Sequence, residues 1–311
     1  MVTGKWRCGA VVGAILVVAL MVFGAASALA GQASGPQRGA GAHKVLIDTD
    51  MGWDDTLSIL YLMKNPDIEI VGITVTGCGE TFLQSGVHNA LALMQMGGID
   101  APVSVGADTP LKFGHVFPKS FKSDMSDLMG LAKDYPQLTR EPIAKPAWDF
   151  IAETLASTQE KITILSLGGF TNVAKMLKQH PQARTEMIDG IVAMGGAVYV
   201  DGNVAALNNA KKEWNQGPKY ATNHYAEFNI FVDPLAAHQV FASSIPITLV
   251  PLDACDYVIL ERSFMHRITA TDPLASLVKK IFDKKTGSSS EGIPVPIFDP
   301  LATLIMADGV Q

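Results

Sequence analysis

The stretch Lys44-Val45-Leu46-Ile47-Asp48-Thr49-Asp50-Met51-Gly52-Trp53-Asp54-Asp55 decides how this chain is read. Its first part is a short apolar run ending in a carboxylate, the pattern of a strand buried on both faces. From about Asp54 the apolar residues recur at helical spacing as far as Lys64, and Asn65-Pro66 closes that helix. Asp48, Asp50, Asp54 and Asp55 crowd the junction of strand and helix. Packed carboxylates repel one another unless protons or a cation offset them. An all-oxygen donor set favours Ca²⁺ or Mg²⁺ over zinc or copper. Capping a helix explains one such Asp but not four, so the cluster reads as a metal site.

Outward from that junction the pattern repeats. Ile68–Val75 is a β-branched run followed by Gly77-Cys78-Gly79, a helix over 81–96 ends at Gly97-Gly98, and Pro102–Val105 is a short strand. Ile162–Ser166 leads through Gly168-Gly169 into a helix at Thr171–Gln179. Ile188–Met194, Phe228–Val232 and Ile245–Val250 read as further strands, with a helix at Pro234–Ala242. Strands alternating with helices predict one α/β domain over 43–311, with a mostly parallel central sheet flanked by helices. Such sheets bind ligands beyond the carboxyl ends of their strands. That rule directs attention to Asp48–Asp55, Gly77–Glu80, Leu167–Gly169, Met194–Gly196 and Asp253. The polar stretches 108–145 and 200–225 read as long loops, a length more typical of functional lids than of connectors.

Composition narrows the possibilities. A chain of 311 residues that is 48% hydrophobic and 17% charged can bury a large core, which excludes a small disulfide-stapled module and general disorder. With 24 Lys+Arg against 30 Asp+Glu, the formal charge of -6 argues against a nucleic-acid partner, which would need a basic footprint. Part of the mean hydropathy of +0.22 comes from the N-terminus. There Lys5 and Arg7 precede an uncharged apolar block, and Ala28-Leu29-Ala30 offers a small-residue exit. This is the order of a signal peptide over 1–30, cleaved after Ala30, with 31–42 as a flexible leader. An uncleaved anchor is the rival reading. Cleavage implies a secreted or periplasmic protein with no stable membrane insertion, and makes the charge two units more negative. Cys78 and Cys255 then remain; an oxidising compartment would let them pair, but spacing cannot bring their Cα atoms together, and free thiols fit equally.

Five blocks in order carry a family resemblance. Asp48-Thr49-Asp50-Met51-Gly52-Trp53-Asp54-Asp55 resembles the D-x-D-x-G-x-D-D signature of the inosine-uridine-preferring nucleoside hydrolases. Leu167-Gly168-Gly169-Phe170-Thr171-Asn172-Val173-Ala174 is similar to their G-x-x-T-N-x-A turn, and Met194-Gly195-Gly196 to their M-G-G turn. Ala226-Glu227-Phe228-Asn229 through Ala237 resembles their A-E-F-N-x-x-x-D-P-x-A-A segment, and Phe298-Asp299-Pro300-Leu301-Ala302 their late D-P-x-A block. The resemblance implies a Rossmann-like nucleoside hydrolase fold and hydrolysis of the N-glycosidic bond of ribonucleosides to ribose and free base. It implies one Ca²⁺ held by Asp50, Asp55, Asp299 and the Leu167 carbonyl, with Asp50 as the base that activates a Ca²⁺-bound water. Asp54, Asn203, Glu227 and Asn229 would bind the sugar hydroxyls, with Met194 and Cys78 completing the substrate-binding set. Relatives are commonly dimers or tetramers, so a homo-oligomer is expected.

Three departures accompany the resemblance. Phe298 stands where members preferring inosine and uridine have a His that helps the base leave. His224, Trp214 or Tyr225 are the candidates to replace it, His224 being equally readable as a solvated loop residue. Cys78 stands where many members have Asn, and a thiol is a poor substitute for an amide; it lines the pocket or fills buried space. The chain stops soon after Asp299, which leaves the sheet edge there open to poor cover. Two other readings stay available: a nucleoside- or ribose-binding protein that lost turnover, and a D-x-D phosphatase using Asp48 and Asp50. The phosphatase reading is weakened by Gly52 and leaves Asp54 and Asp55 without a role.

Overall fold

In the computed structural model, β1 (His43–Thr49) is buried from Val45 onward and lies between two parallel neighbours. The described residues are 41–260, 268–270, 272–287 and 295–309; the expected signal segment and most of the leader lie outside them. No described helix is long and apolar enough to cross a membrane. α1 (Trp53–Lys64) returns the chain to β2 (Ile68–Val75), and α2 (Leu83–Met96) leads to β3 (Val103–Val105). After α3 (Lys119–Ser126) and α4 (Ala147–Ser157), β4 (Ile162–Ser166) pairs with the other side of β1. α5 (Thr171–Gln179) precedes β5 (Ile188–Met194). Next come α6 (Val204–Ala210), α7 (Pro218–Ala221), α8 (Phe228–Val232), α9 (Pro234–Phe241) and β6 (Ile247–Val250). The chain ends through α10 (Leu252–Cys255), β7 (Ile259–Leu260), α11 (Pro273–Thr286), β8 (Val295–Pro296) and α12 (Asp299–Asp308).

The main sheet runs β3-β2-β1-β4-β5-β6 and is parallel throughout, as the alternation predicts. Side chains of β1 alternate between two cores. Val45 and Ile47 join one cluster with α1 and α2, whereas Leu46 joins the other with α4, α5 and α9. Burial of both faces is why the strands read as continuous apolar runs. Strand order reverses between β1 and β4, and a sheet of this kind opens a crevice at that reversal, beyond the carboxyl ends. Asp50 and Leu167 follow those two strands.

Several expectations are corrected. Phe228–Val232 is helical: the Glu227 carboxylate accepts the Asn229 and Ile230 N–H groups, and Asp233 accepts Ala236 N–H at the start of α9. A short apolar run has no periodicity to separate strand from buried helix, so the caps decide. The stretches 108–145 and 200–225 hold α3, α6 and α7, and α4 escaped the sequence pattern altogether. α12 packs on α1 and β5 rather than at an edge; the edges are β3 and β6. Cys78 and Cys255 are both buried and free.

Candidate active site

β1 ends in a turn that exists to hold carboxylates. Met51 takes a left-handed φ of 61°, a strained position for a non-glycine residue of the kind that gathers at functional sites. Its N–H donates to Thr49 Oγ1 at 2.9 Å, and the Asp50 carbonyl accepts from Thr81 Oγ1 at 2.7 Å. Asp50 Oδ2 accepts Glu80 N–H at 3.0 Å. Gly79 is required here, because a Cβ would sit 1.6 Å from that same Oδ2. Asp54 and Asp55 occupy the first turn of α1, where the helix dipole favours negative charge. Asp55 does serve as a cap, with Oδ2 accepting Gly52 N–H at 2.8 Å and Oδ1 accepting the Thr49 hydroxyl. Asp299 opens α12 on the other side.

Oxygens of Asp54, Asp55 and Asp299 lie within 4.8 Å of one another. All three are buried, as is Asp50. Burial, reinforced by the Asp55 and Glu80 charges, pushes the Asp50 carboxyl well above its ordinary range. Burial and the Asp55 charge raise Asp54 to about 7. Asp299 is pushed well up by burial and then by Asp55 and Asp54. Glu80 follows suit through burial, Asp54 and Asp55, and its Oε2 is buried with no hydrogen-bond partner among the described residues. Carboxyls that repel one another this strongly, together with an orphaned carboxylate oxygen, are what a hard cation would satisfy. The donor set therefore fits a bound divalent cation.

Glu227 organises the facing side. Its Oε2 accepts Gly196 N–H at 2.9 Å and Ile230 N–H at 3.1 Å, and its Oε1 accepts Asn229 N–H at 2.8 Å. Gly196, at φ 87°, supplies a backbone conformation that favours glycine. Asn229 Nδ2 donates to the Leu167 and Met194 carbonyls, each at 3.2 Å. Asn203 Oδ1 accepts Phe228 N–H at 2.9 Å. Aromatic side chains close the cavity: Phe117 stacks on Phe228 at 4.1 Å and on Phe121 at 5.4 Å, with Trp53 and Phe298 nearby. Lys122 pins α3, donating from Nζ to the Gly77 carbonyl at 2.6 Å. The cavity, open on one side, has a volume of about 270 Å³, close to the small end of ligand pockets.

Asp50, Asp54, Asp55, Leu167, Met194, Asn203, Glu227, Asn229 and Asp299 all line this one cavity. Cys78 does not; its thiol faces the Ala107 carbonyl at 3.7 Å, a buried filler. Asp48 is also excluded, because Thr74 and Asn172 donate to its Oδ1 at 2.7 and 2.8 Å. His224 and Tyr225 are exposed and Trp214 packs edge-on against Phe121 at 5.2 Å; none of the three lines the cavity. Sequence reasoning missed Glu80, Lys285 and the aromatic wall. Glu80 had a signal, since it ends the rim segment 77–80 after β2; Lys285 had none.

Known proteins place the chain. The family model described as inosine-uridine preferring nucleoside hydrolase matches residues 45–310. The non-specific ribonucleoside hydrolase RihC of Salmonella agona (strain SL483) is 29% identical over 262 residues, covering 84% of this chain and 78% of its own. RihC of Klebsiella pneumoniae (strain 342) is 29% identical over 251 residues, covering 80% and 74%. Among solved structures, a plant nucleoside hydrolase, PpNRh1, superposes with a TM-score of 0.69 at 26% identity, covering 86% of this chain and 79% of its own. The purine-preferring ribonucleoside hydrolase from Gardnerella vaginalis gives 0.66 at 28%, covering 86% and 80%. With the fold, the acidic crevice and a family match spanning the described domain, the chain belongs to the inosine-uridine preferring nucleoside hydrolase family and is an enzyme of the N-glycosyl hydrolase class.

Proposed function

We propose that the protein is an exported hydrolase that cleaves ribonucleosides to ribose and free base, with Asp50 as the general base and Ca²⁺ as its metal. The observation that carries this reading is the union, in one cavity, of a buried carboxylate floor and an aromatic wall. A sugar rich in hydroxyls fits the first, and a flat base the second. Asp50, Asp55, Asp299 and the Leu167 carbonyl would hold the cation, with Asp54 close beside them. When bound, Ca²⁺ would offset the carboxylate charges and make a water easier to deprotonate. Asp50 takes the proton of the attacking water, and burial with the neighbouring carboxylates raises its proton affinity above that of an ordinary aspartate. Asp54, Asn203, Glu227 and Asn229 hold the ribose hydroxyls and so orient C1′ toward that water. As the glycosidic bond breaks, positive charge develops on the ribosyl ring and the neighbouring carboxylates stabilise it.

The apolar N-terminal block and its Ala28-Leu29-Ala30 exit support export. Phe298 on the cavity wall favours one second reading, a ribonucleoside-binding protein without turnover. The D-x-D phosphatase reading loses support because Asp48 is enclosed by Thr74 and Asn172. The mature chain should be incubated with a panel of ribonucleosides and Ca²⁺ while reducing sugar is measured. Release that a chelator suppresses and Ca²⁺ restores is expected. Calorimetric binding without product would replace this reading by the second.

A further inference from the structure

Breaking the glycosidic bond sends an electron pair onto the departing base. The cavity is otherwise hostile to that charge: Asp50, Asp54, Asp55, Glu80, Glu227 and Asp299 all line it. Among the described residues no histidine and no tyrosine lines it, and Phe298 offers no donor. Lys285, in the last turn of α11, is the single cation on the lining among the described residues. Its Nζ stands 4.2 Å from the centre of the Trp53 ring. Asp54 and Glu80 are near enough for their charges to act on it, so the ammonium shares the cavity with the floor carboxylates. No salt bridge to a described residue holds it. Burial lowers its proton affinity, while Asp54 and Glu80 act in the opposite direction and favour the charged form.

We propose that Lys285 is a further catalytic residue, whose ammonium donates a hydrogen bond to the leaving base and stabilises the negative charge that develops on it. The inference rests on the nucleoside hydrolase reading given above. The C1′–N bond breaks and its electron pair moves to the base heteroatom, while water oxygen bonds to C1′ and its proton passes to Asp50. Lys285 keeps its own proton and neutralises the base until the base is protonated from solvent. A preorganised donor aimed at developing charge contributes on the order of 10²–10³ in rate.

The test compares two classes of leaving group, nucleobases and a phenolate. Wild type, Lys285→Met and Lys285→Arg are assayed on inosine, uridine and 4-nitrophenyl β-D-ribofuranoside, whose phenolate departs with little assistance. Methionine retains an apolar stem over Trp53, and arginine retains the charge. Lys285→Met should lose roughly 10²-fold in kcat on the nucleosides and no more than about threefold on the aryl riboside, with Lys285→Arg recovering most of the loss. An equal loss on all three substrates, or none on the nucleosides, would overturn the role of Lys285 while leaving the enzyme a ribosyl hydrolase. A wild type that cleaves none of them would overturn the underlying reading as well.

Discussion

The floor of the cavity is polar and drawn mainly from residues adjacent in sequence, whereas its wall is aromatic and drawn from segments far apart. Asp50, Asp54 and Asp55 lie within six positions at the end of β1. Phe117 comes from just before α3, Phe121 from within it, Phe228 from α8 and Phe298 from the start of α12. Phe117 stacks on both Phe121 and Phe228, and Phe298 lines the same cavity. The floor concentrates like charges in a buried place, which opposes folding without a cation. The wall buries rings against rings, which favours folding. Asp272 shows the contrast within a single residue type: its carboxylate accepts the Leu274 and Ala275 N–H groups at the start of α11 and is held below its ordinary range. Asp272, away from the cavity, only caps a helix, whereas Asp55 caps α1 and at the same time belongs to the crowded floor that a cation would offset.

The two sides should respond oppositely to truncation. Asp50→Asn should lower kcat by roughly 10³-fold, about 4 kcal/mol of barrier, while leaving the Tm of the metal-free protein unchanged or higher, because one repelling charge is gone. Phe117→Ala should behave in reverse: the lost ring contacts cost about 3 kcal/mol of stability by urea denaturation, with the kcat of the folded fraction largely kept. A destabilised Asp50→Asn together with a stable Phe117→Ala would end the distinction.

Two buried carboxyls, Asp54 on the floor and Asp48 behind it, should also make stability depend on pH. Asp54 is raised to about 7 and Asp48 to about 6, each from 3.8 and each chiefly by burial. The folded state then holds more protons than the unfolded one between those values. Stability should therefore be greatest near pH 4 and fall as pH rises to about 7, by at most about 1.4 kcal/mol per pH unit for each carboxyl. Urea melts from pH 4 to 7 in a chelator would show this slope, and saturating Ca²⁺ should remove the part that comes from Asp54. The smallest effect belongs to His224→Ala, which touches neither side: stability within about 0.5 kcal/mol and kcat/KM unchanged. A large loss there would bring that exposed loop into the site.

Much of the floor was legible because its determinants are local. The strand-turn-helix pattern at 44–64 and the acids within it need no partner from elsewhere to be recognised. Asp299, Glu227 and Asn229 were legible only through resemblance, since nothing in their spacing tells that they face Asp50. The misread segment is instructive. Phe228–Val232 has the apolar content of a strand, but Glu227 spends both carboxylate oxygens on N–H groups and starts a helix. Cys78 follows the Gly77 turn and yet points to the Ala107 carbonyl instead of the cavity. Lys285 gave no sign, because one lysine in a basic helical turn looks like a solvated face.

The sequence by itself determined the alternation of strands and helices, the parallel sheet, and the concentration of acid at the end of β1. These follow from short-range periodicity and from residues that neighbour one another along the chain. Tertiary structure alone decided which acids share a cavity and which, like Asp48, are held outside it. It also decided that the long segments after β3 and β5 fold into helices and that Lys285 stands over Trp53. Those outcomes depend on burial and on contacts between distant segments, where the energy of a charge or a ring is set by surroundings that no local pattern encodes.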